Sequence, residues 1–145
     1  MKALKRTLLA LSCAAALGAC STMDNMMGGS AAQHVTLSGA NEVPAVQSGA
    51  SGSGTVTINP DHTVSADITV TGMEATAAHI HEAAAGKNGK VIVPLTKTGD
   101  NHFVAPPGAK LTDEQYEAFK RGDLYVNAHS KQHPAGEVRA QLAAR

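Results

Sequence analysis

The stretch Val64-Ser65-Ala66-Asp67-Ile68-Thr69-Val70 decides the fold class, because apolar and polar side chains alternate along its whole length. Successive side chains of a β-strand point to opposite faces, so its four apolar residues would share one face. The preceding run Thr55–Ile58 alternates in the same way, and Asn59-Pro60-Asp61 between the two runs is typical of a turn. The two runs therefore predict a β-hairpin with one buried face.

Outward from this hairpin, the chain consists of short strand-like segments separated by turns. Further strands are predicted near Val35–Leu37 and at Ala77–His81, Lys90–Leu95, His102–Ala105, Asp123–His129 and Gly136–Leu142. One helix is predicted, in which Thr112 caps the first turn with Gln115 as its capping-box partner, and Gly122 fits the position after the last turn. The predicted fold class is all-β: a Greek-key β-sandwich or barrel of about 7–8 short strands with one helix near 112–121.

Charge and aromatic content restrict the kinds of partner. The chain has 145 residues, with 12 basic and 12 acidic side chains, two Phe, two Tyr and no Trp. Because no basic patch is apparent, nucleic acid is not an expected partner. The scarcity of aromatic side chains also argues against a stacking platform for bases or sugars.

The N-terminus has the parts of an export signal in their usual order. Lys2, Lys5 and Arg6 give a positive start. The apolar run Leu8–Leu17 follows, and it is too short to cross a hydrocarbon core of about 30 Å. The run ends in Leu17-Gly18-Ala19-Cys20, which resembles the bacterial lipobox. The alternative is an ordinary secretory signal in which the cysteine stands by chance.

The lipobox resemblance implies a signal peptide at residues 1–19, cleavage before Cys20, and covalent lipid on that cysteine. Residues 20–33 would then be the lipidated cysteine and a flexible tether, and residues 34–145 the folded domain. Acyl chains on one cysteine would anchor the protein at a membrane. Ser21 in place of Asp resembles the sorting pattern of outer-membrane lipoproteins in Gram-negative bacteria. We therefore expect a lipid-anchored protein of the bacterial cell envelope, with its domain in the periplasm or at the cell surface.

Two short segments concentrate histidine on predicted strands. In His79-Ile80-His81, the two imidazoles would lie on the same strand face, within reach of one metal ion. In the later segment, Tyr125, Asn127 and His129 would share a face, and His133 follows in a loop. Neutral imidazole is a good ligand for copper and zinc. The alternative is a set of hydrogen-bonded histidines that orient loops and bind nothing.

From these segments we predict a Cu²⁺ or Zn²⁺ site whose ligands are His79, His81, His129 and, as a fourth, His133. Asn127 would orient an imidazole by a hydrogen bond from outside the ligand set. Tyr125 would close the site from water. Because neutral imidazoles are the ligands, metal affinity should fall as the pH drops through ~6.5, the ordinary histidine pKa.

The last predicted strand adds two charged residues to the candidate site. Glu137 and Arg139 alternate with Val138 and Ala140, so they would share the face opposite the core. The pair could form a structural ion pair or lie on a solvated face. Alternatively, Arg139 could steer an anion towards the metal.

Several blocks of the chain together resemble the CHRD domain, a module first named from the animal protein chordin and widespread in bacteria. They are Leu37–Pro44, which contains Asn41-Glu42-Val43-Pro44, then Ala78–His81, Leu124–His129 and Gly136–Leu142. The resemblance covers almost all of the region from His34 to Leu142 and implies a single all-β domain. It implies no enzymatic activity. Chordin binds growth factors, which a bacterial lipoprotein would not meet.

A weaker resemblance, to copper/zinc superoxide dismutase, rests on His79 and His81 as a His-x-His strand. That family also has a β-sandwich and an arginine that attracts superoxide. Its disulfide cannot form here, because the two cysteines are Cys13 and Cys20, and no equivalent of its zinc loop is apparent. We therefore expect a binding module that holds copper or zinc, or docks on an envelope protein, rather than an enzyme. A dismutase-type redox enzyme and a purely structural envelope protein are the alternatives.

Overall fold

Nine β-strands and one α-helix make up the part of the chain that the structure describes. This computed structural model describes residue 30 and residues 32–145. The elements are β1 (Gln33–Ser38), β2 (Ser51–Ile58), β3 (Val64–Thr71), β4 (Ala75–Glu82), β5 (Lys90–Pro94), β6 (Thr96–Gly99), β7 (His102–Val104), α1 (Asp113–Arg121), β8 (Leu124–Ser130) and β9 (Val138–Gln141). Within these residues, no helix has the length and hydropathy needed to cross a membrane. The predicted signal peptide and Cys20 lie outside the described residues.

All nine strands belong to one antiparallel sheet that curls into a nearly closed barrel. The strand order is β5-β4-β8-β9-β1-β2-β3-β7-β6. The two ends of the sheet meet at β4, where Leu95 donates its backbone N–H to the Ala78 carbonyl at 3.0 Å. Beside this contact, Lys97 donates from Nζ to the Ala75 carbonyl at 2.8 Å. The arrangement confirms the predicted all-β class with one helix.

The hairpin predicted from alternation is formed by β2 and β3. Its register begins with Ile58 opposite Val64 and continues along both strands without a bulge. The apolar residues of β3 are buried and its polar residues are exposed, in strict alternation. In the turn, Asp61 accepts the backbone N–H of Thr63 at 3.1 Å.

Aliphatic side chains from the strands fill the interior, together with Phe103 from β7 and Phe119 from α1. Complete burial of such a side chain contributes about 1.5–3 kcal/mol to the free energy of unfolding. Ile80 on β4 and Val126 on β8 belong to this interior. Because side chains alternate along a strand, the residues on either side of each point outward. His79, His81 and His129, three of the four predicted metal ligands, therefore lie on the outer face of the barrel.

The helix begins and ends as its sequence predicts. The Gln115 N–H donates to Thr112 Oγ1 at 3.2 Å, and the Thr112 N–H donates to the Gln115 side chain at 2.9 Å, so the capping box is complete. Gly122 ends the helix with a φ of 81°, in the left-handed region that glycine tolerates best. The helix packs against the barrel through Ala118 and Phe119.

The strands differ from the sequence prediction mainly at the following places. The strand Thr96–Gly99 was not predicted, because all four of its residues are exposed and none gives an apolar alternation. The first strand begins at Gln33, one residue before the expected start of the domain. The Gln33 side chain exchanges two hydrogen bonds with the Ala143 backbone, at 3.2 and 2.8 Å. The last strand is shorter than predicted and covers Val138–Gln141.

Candidate metal centre

Two neighbouring strands bring three histidines together on the outer face of the barrel. In the antiparallel register of β4 and β8, His79 lies opposite Asn127, and Ala77 lies opposite His129. His81 follows two residues after His79 on the same strand face. Of the three imidazoles, that of His79 is half-buried, whereas His81 and His129 keep only 7% and 8% of their surface exposed.

The three imidazoles converge closely enough to hold one metal ion. One ring nitrogen from each of His79, His81 and His129 lies within 4.8 Å of the others. The shortest separation, 3.0 Å, joins His79 Nδ1 to His129 Nε2. Two nitrogens bound tetrahedrally to one Zn²⁺ at 2.0–2.1 Å would lie roughly 3.3 Å apart. A small opening of the His79–His129 contact would bring this pair of nitrogens to the separation of two zinc ligands.

Backbone carbonyls fix the orientation of two of the rings. His81 Nδ1 lies 2.9 Å from the Gly89 carbonyl, and His129 Nδ1 lies 3.0 Å from the Pro134 carbonyl. A carbonyl oxygen only accepts hydrogen bonds, so each Nδ1 carries the hydrogen. The neutral ring then presents the lone pair of Nε2. His81 Nε2 is buried and has no hydrogen-bonding partner among the described residues.

All three histidines are held in the neutral form that binds metals. Burial lowers the pKa of His79 to about 4, assisted by the neighbouring His129 and His81. Burial also lowers the pKa of His81 and of His129, although the carbonyls of Gly89 and Pro134 act in the opposite direction. Protonation competes with metal for the same lone pairs. Competition therefore begins at a lower pH than the ordinary histidine value of ~6.5, which was the sequence expectation.

The predicted closing residue, Tyr125, covers one flank of His81. The two rings are stacked with centroids 4.7 Å apart and planes inclined by 7°. The guanidinium of Arg139, from the next strand, lies 3.4 Å from the centroid of the Tyr125 ring. The Tyr125 hydroxyl accepts the Gly89 N–H at 3.2 Å. Tyr125 is thereby fixed between a histidine of the cluster and a buried cation.

Asn127 lies opposite His79 in the sheet and contacts a residue that sequence reasoning did not assign to the site. Asn127 is 1% exposed and donates from Nδ2 to Glu42 Oε1 at 3.4 Å. Asn127 Oδ1 has no hydrogen-bonding partner among the described residues. Only glycine fits at Gly136, where φ is 135° and a Cβ would lie 2.5 Å from Glu42 Oε1. The signal for Glu42 was its position in the Asn41–Pro44 block.

The structure does not bring His133 into the group of converging nitrogens. Its backbone instead shapes the loop after β8. The His133 N–H donates to Ser130 Oγ at 3.1 Å, and its carbonyl accepts the N–H of Gly136 at 3.1 Å. This loop carries the Pro134 carbonyl that orients His129.

Glu137 and Arg139 are buried, so the interpretation of their face as solvated is wrong. Arg139 donates to Asn88 Oδ1 at 3.3 Å and to Gln141 Oε1 at 3.0 Å. In the part of the chain that the structure describes, no ion pair joins Glu137 to Arg139, and Glu137 Oε2 has no partner. Because Arg139 is 1% exposed, its charge faces the protein and not the solvent.

Fold and site together define a small antiparallel β-barrel domain with a three-histidine cluster on its outer wall. The family model of the CHRD domain matches residues 34–142, so the chain belongs to the CHRD domain family. The matched region spans the barrel and includes every residue of the cluster. Comparison with curated proteins and with solved structures found no match.

Proposed function

We propose that this CHRD domain binds Cu²⁺ or Zn²⁺ through His79, His81 and His129. The observation that carries the proposal is the convergence of three neutral imidazoles, two of them oriented by carbonyls, with ring nitrogens within 4.8 Å. Metal-binding histidines usually donate their other ring N–H in this way, which fixes the tautomer and the ring orientation. Imidazole nitrogen suits both ions, and divalent copper binds such sites more tightly than zinc.

A purely structural role for the cluster explains less of its geometry. Leaving a buried acceptor such as His81 Nε2 without a partner costs about 1–3 kcal/mol. A metal ion would satisfy this lone pair together with those of His79 and His129. Metal binding at this nitrogen would therefore remove a cost that a purely structural role leaves in place.

We propose a binding module rather than a dismutase-type enzyme. Three protein ligands would leave one position of a tetrahedral ion open, as catalytic sites also do. An anion-attracting arginine, however, needs access to its substrate, and Arg139 lies against Tyr125 with its guanidinium bonded to Asn88 and Gln141. This burial favours retention of the ion over turnover of an anion.

We also propose that the domain works in the bacterial cell envelope, held at a membrane by lipid on Cys20. The support is the order of the N-terminal features: basic residues, the apolar run Leu8–Leu17, and the lipobox-like Leu17-Gly18-Ala19-Cys20. Ser21 favours the outer membrane. Histidine ligands suit this placement, because they need no reduced thiol in an oxidising compartment.

The metal proposal is tested by titration calorimetry on protein purified without a histidine tag. We expect saturable binding of Cu²⁺ and Zn²⁺ by the wild type and its loss in His79→Ala/His81→Ala. The matched control is His34→Ala/His102→Ala, which removes two imidazoles outside the cluster and should bind as the wild type does. If the wild type binds no tighter than the cluster variant, the histidines have only a structural role.

A further inference from the structure

Tyr125 connects the histidine cluster to the neighbouring strand β9. It lies on β8 directly opposite His81 on β4, and the two rings stack with centroids 4.7 Å apart and planes inclined by 7°. The Arg139 guanidinium comes from β9, on the other side of β8, and lies 3.4 Å from the centroid of the Tyr125 ring. Tyr125 is 2% exposed, so its ring is held in the protein by a cluster histidine and a cation.

The Tyr125 hydroxyl binds a second group that acts on the same imidazole. It accepts the backbone N–H of Gly89 at 3.2 Å, and the Gly89 carbonyl accepts the N–H of His81 Nδ1 at 2.9 Å. Gly89 comes directly before β5, whose first residue, Lys90, pairs with Glu82 on β4. The stacking fixes the plane of the imidazole, and the carbonyl fixes which ring nitrogen points towards Gly89. Tyr125 therefore takes part in both restraints on the orientation of His81.

Arg139 is a buried cation whose partners include the Tyr125 ring. None of the ion pairs among the described residues includes Arg139. A buried charge needs specific partners, and the guanidinium donates to Asn88 Oδ1 at 3.3 Å and to Gln141 Oε1 at 3.0 Å. Its remaining contact is the face of the tyrosine ring, an attraction that is stronger away from water. The burial of Arg139 thus depends on the same ring that supports the histidine.

The loop that carries Gly89 is tied to β9 at both ends. At its start, the Ala83 carbonyl accepts from Gln141 Nε2 at 2.9 Å. Near its end, Asn88 accepts from Arg139, and Gly89 is the next residue. The loop is therefore held against the barrel by the two side chains that also surround the Arg139 guanidinium, and the Gly89 carbonyl has a defined place.

We propose that Tyr125 is a positioning residue of the metal centre, which orients the His81 imidazole through its ring face and through the Gly89 backbone. This inference rests on the proposed metal binding. Because Nδ1 is engaged by the Gly89 carbonyl, His81 presents Nε2 to an ion. Arg139 acts one step further out, since it contacts the Tyr125 ring and the loop before Gly89. Its role is to hold the support of a ligand, and it does not steer an anion.

The first test is metal affinity, measured by calorimetry with Cu²⁺ on the full chain. Loss of a group that orients a ligand typically lowers metal affinity by about 10–100-fold, and we expect this for Tyr125→Leu, which removes ring and hydroxyl. Tyr125→Phe keeps the stacked ring and removes only the hydroxyl, so its loss should be smaller. The matched control is Tyr116→Leu, because Tyr116 also stacks on a histidine, His62, at a centroid distance of 4.2 Å, outside the cluster. This variant should bind as tightly as the wild type.

The second test is independent of metal and observes the His81 ring directly. In the metal-free wild type, the ¹⁵N resonances of His81 should report hydrogen on Nδ1. Tyr125→Phe leaves the Gly89 N–H without the hydroxyl, so the Gly89 carbonyl should be less well placed and the two His81 tautomers should mix. Tyr116→Phe should leave the His81 resonances unchanged. A residue needed only for stability would not alter the tautomer of a protein that remains folded.

The outcomes separate the two proposals. Wild type that binds Cu²⁺, with both Tyr125 variants binding as tightly and with unchanged His81 resonances, would overturn the positioning role. Wild type that binds no metal would overturn the proposed function, and the His81 resonances would still decide whether Tyr125 orients the ring. Thermal unfolding followed by circular dichroism identifies any variant that fails to fold. If Tyr125→Leu is such a variant, Tyr125→Phe carries both tests.

Discussion

His79 lies between two other imidazoles, and both oppose its protonation in addition to burial. The result is a pKa of about 4 in the folded protein, against ~6.5 for an ordinary histidine. His81 and His129 have lowered pKa values as well, with burial as the main cause. At neutral pH the three rings therefore remain uncharged although they lie side by side. In an exposed cluster, burial would not lower the pKa values.

We predict that the free energy of unfolding of the metal-free protein falls as the pH drops from about 6.5 towards about 4. In this window the unfolded chain protonates His79, whereas the folded protein does not. The unfolded state then binds more protons, so acidification favours unfolding. Urea denaturation at a series of pH values measures the effect.

The comparison that isolates this contribution uses His79→Ala/His81→Ala, which should lose part of the pH dependence. His34→Ala, at an exposed position outside the cluster, should keep it. An identical slope in all three proteins would show that the cluster does not disfavour protonation.

Strand β8 shows which of its features the alternation of apolar and polar residues predicts and which it does not. All seven of its residues are buried, with Val126 and Ala128 in the barrel and the alternate residues beneath loops. The sequence predicted the strand and the shared face of Tyr125, Asn127 and His129. It could not predict that the outer face is covered, because the covering comes from distant segments such as Asn41–Pro44 whose docking depends on tertiary contacts.

The shared face of His79 and His81 on β4 was predicted because side chains alternate along a strand, which depends only on neighbouring residues. The contact between Glu42 and Asn127 was not predicted, since the two residues lie 85 positions apart in the chain. His133 was predicted as a ligand because it is near His129 in sequence. In the structure its backbone N–H donates to Ser130 Oγ, and its imidazole is not part of the cluster. Strand Thr96–Gly99 gave no signal because all four of its own residues are exposed and none is apolar enough to mark a buried face.

For the core strands, we predict that Ile68→Ala lowers the free energy of unfolding by about 2–5 kcal/mol, because Ile68 is fully buried at the centre of β3. Val91→Ala removes an apolar side chain of comparable type from β5, where it is 46% exposed, and should change stability by at most about 0.5 kcal/mol. Urea denaturation of the metal-free proteins provides both values. Equal losses at the two positions would contradict the assignment of inner and outer faces.

At the scale of the whole molecule, the first strand lies at the middle of the sheet, between β9 and β2. The first strand is therefore paired on both sides and does not lie at an edge of the sheet. Gln33 follows Cys20 by 13 positions. At 3.3–3.6 Å per residue, a lipid on Cys20 would keep the barrel within about 45 Å of a membrane surface.

The proposed anchor predicts that Cys20→Ala abolishes lipid attachment and leaves an unprocessed precursor. Cells labelled with a radioactive fatty acid provide the measurement. Cys13→Ala is the matched control, because it removes the other cysteine of the chain from within the predicted signal and should still be labelled. Equal label on the wild type and on Cys20→Ala would exclude the lipobox interpretation.

The contact between His79 and His129 determines which ring nitrogen of each histidine carries a hydrogen in the metal-free protein. Two ring nitrogens 3.0 Å apart share a hydrogen, since two lone pairs at that distance would repel. His129 has its own hydrogen committed to the Pro134 carbonyl, so the shared one belongs to His79 Nδ1. A metal ion would take that place, and His79 would carry the hydrogen on its other nitrogen. Metal binding through His79 Nδ1 would therefore require the His79 ring to change its tautomer, with the hydrogen moving from Nδ1 to Nε2.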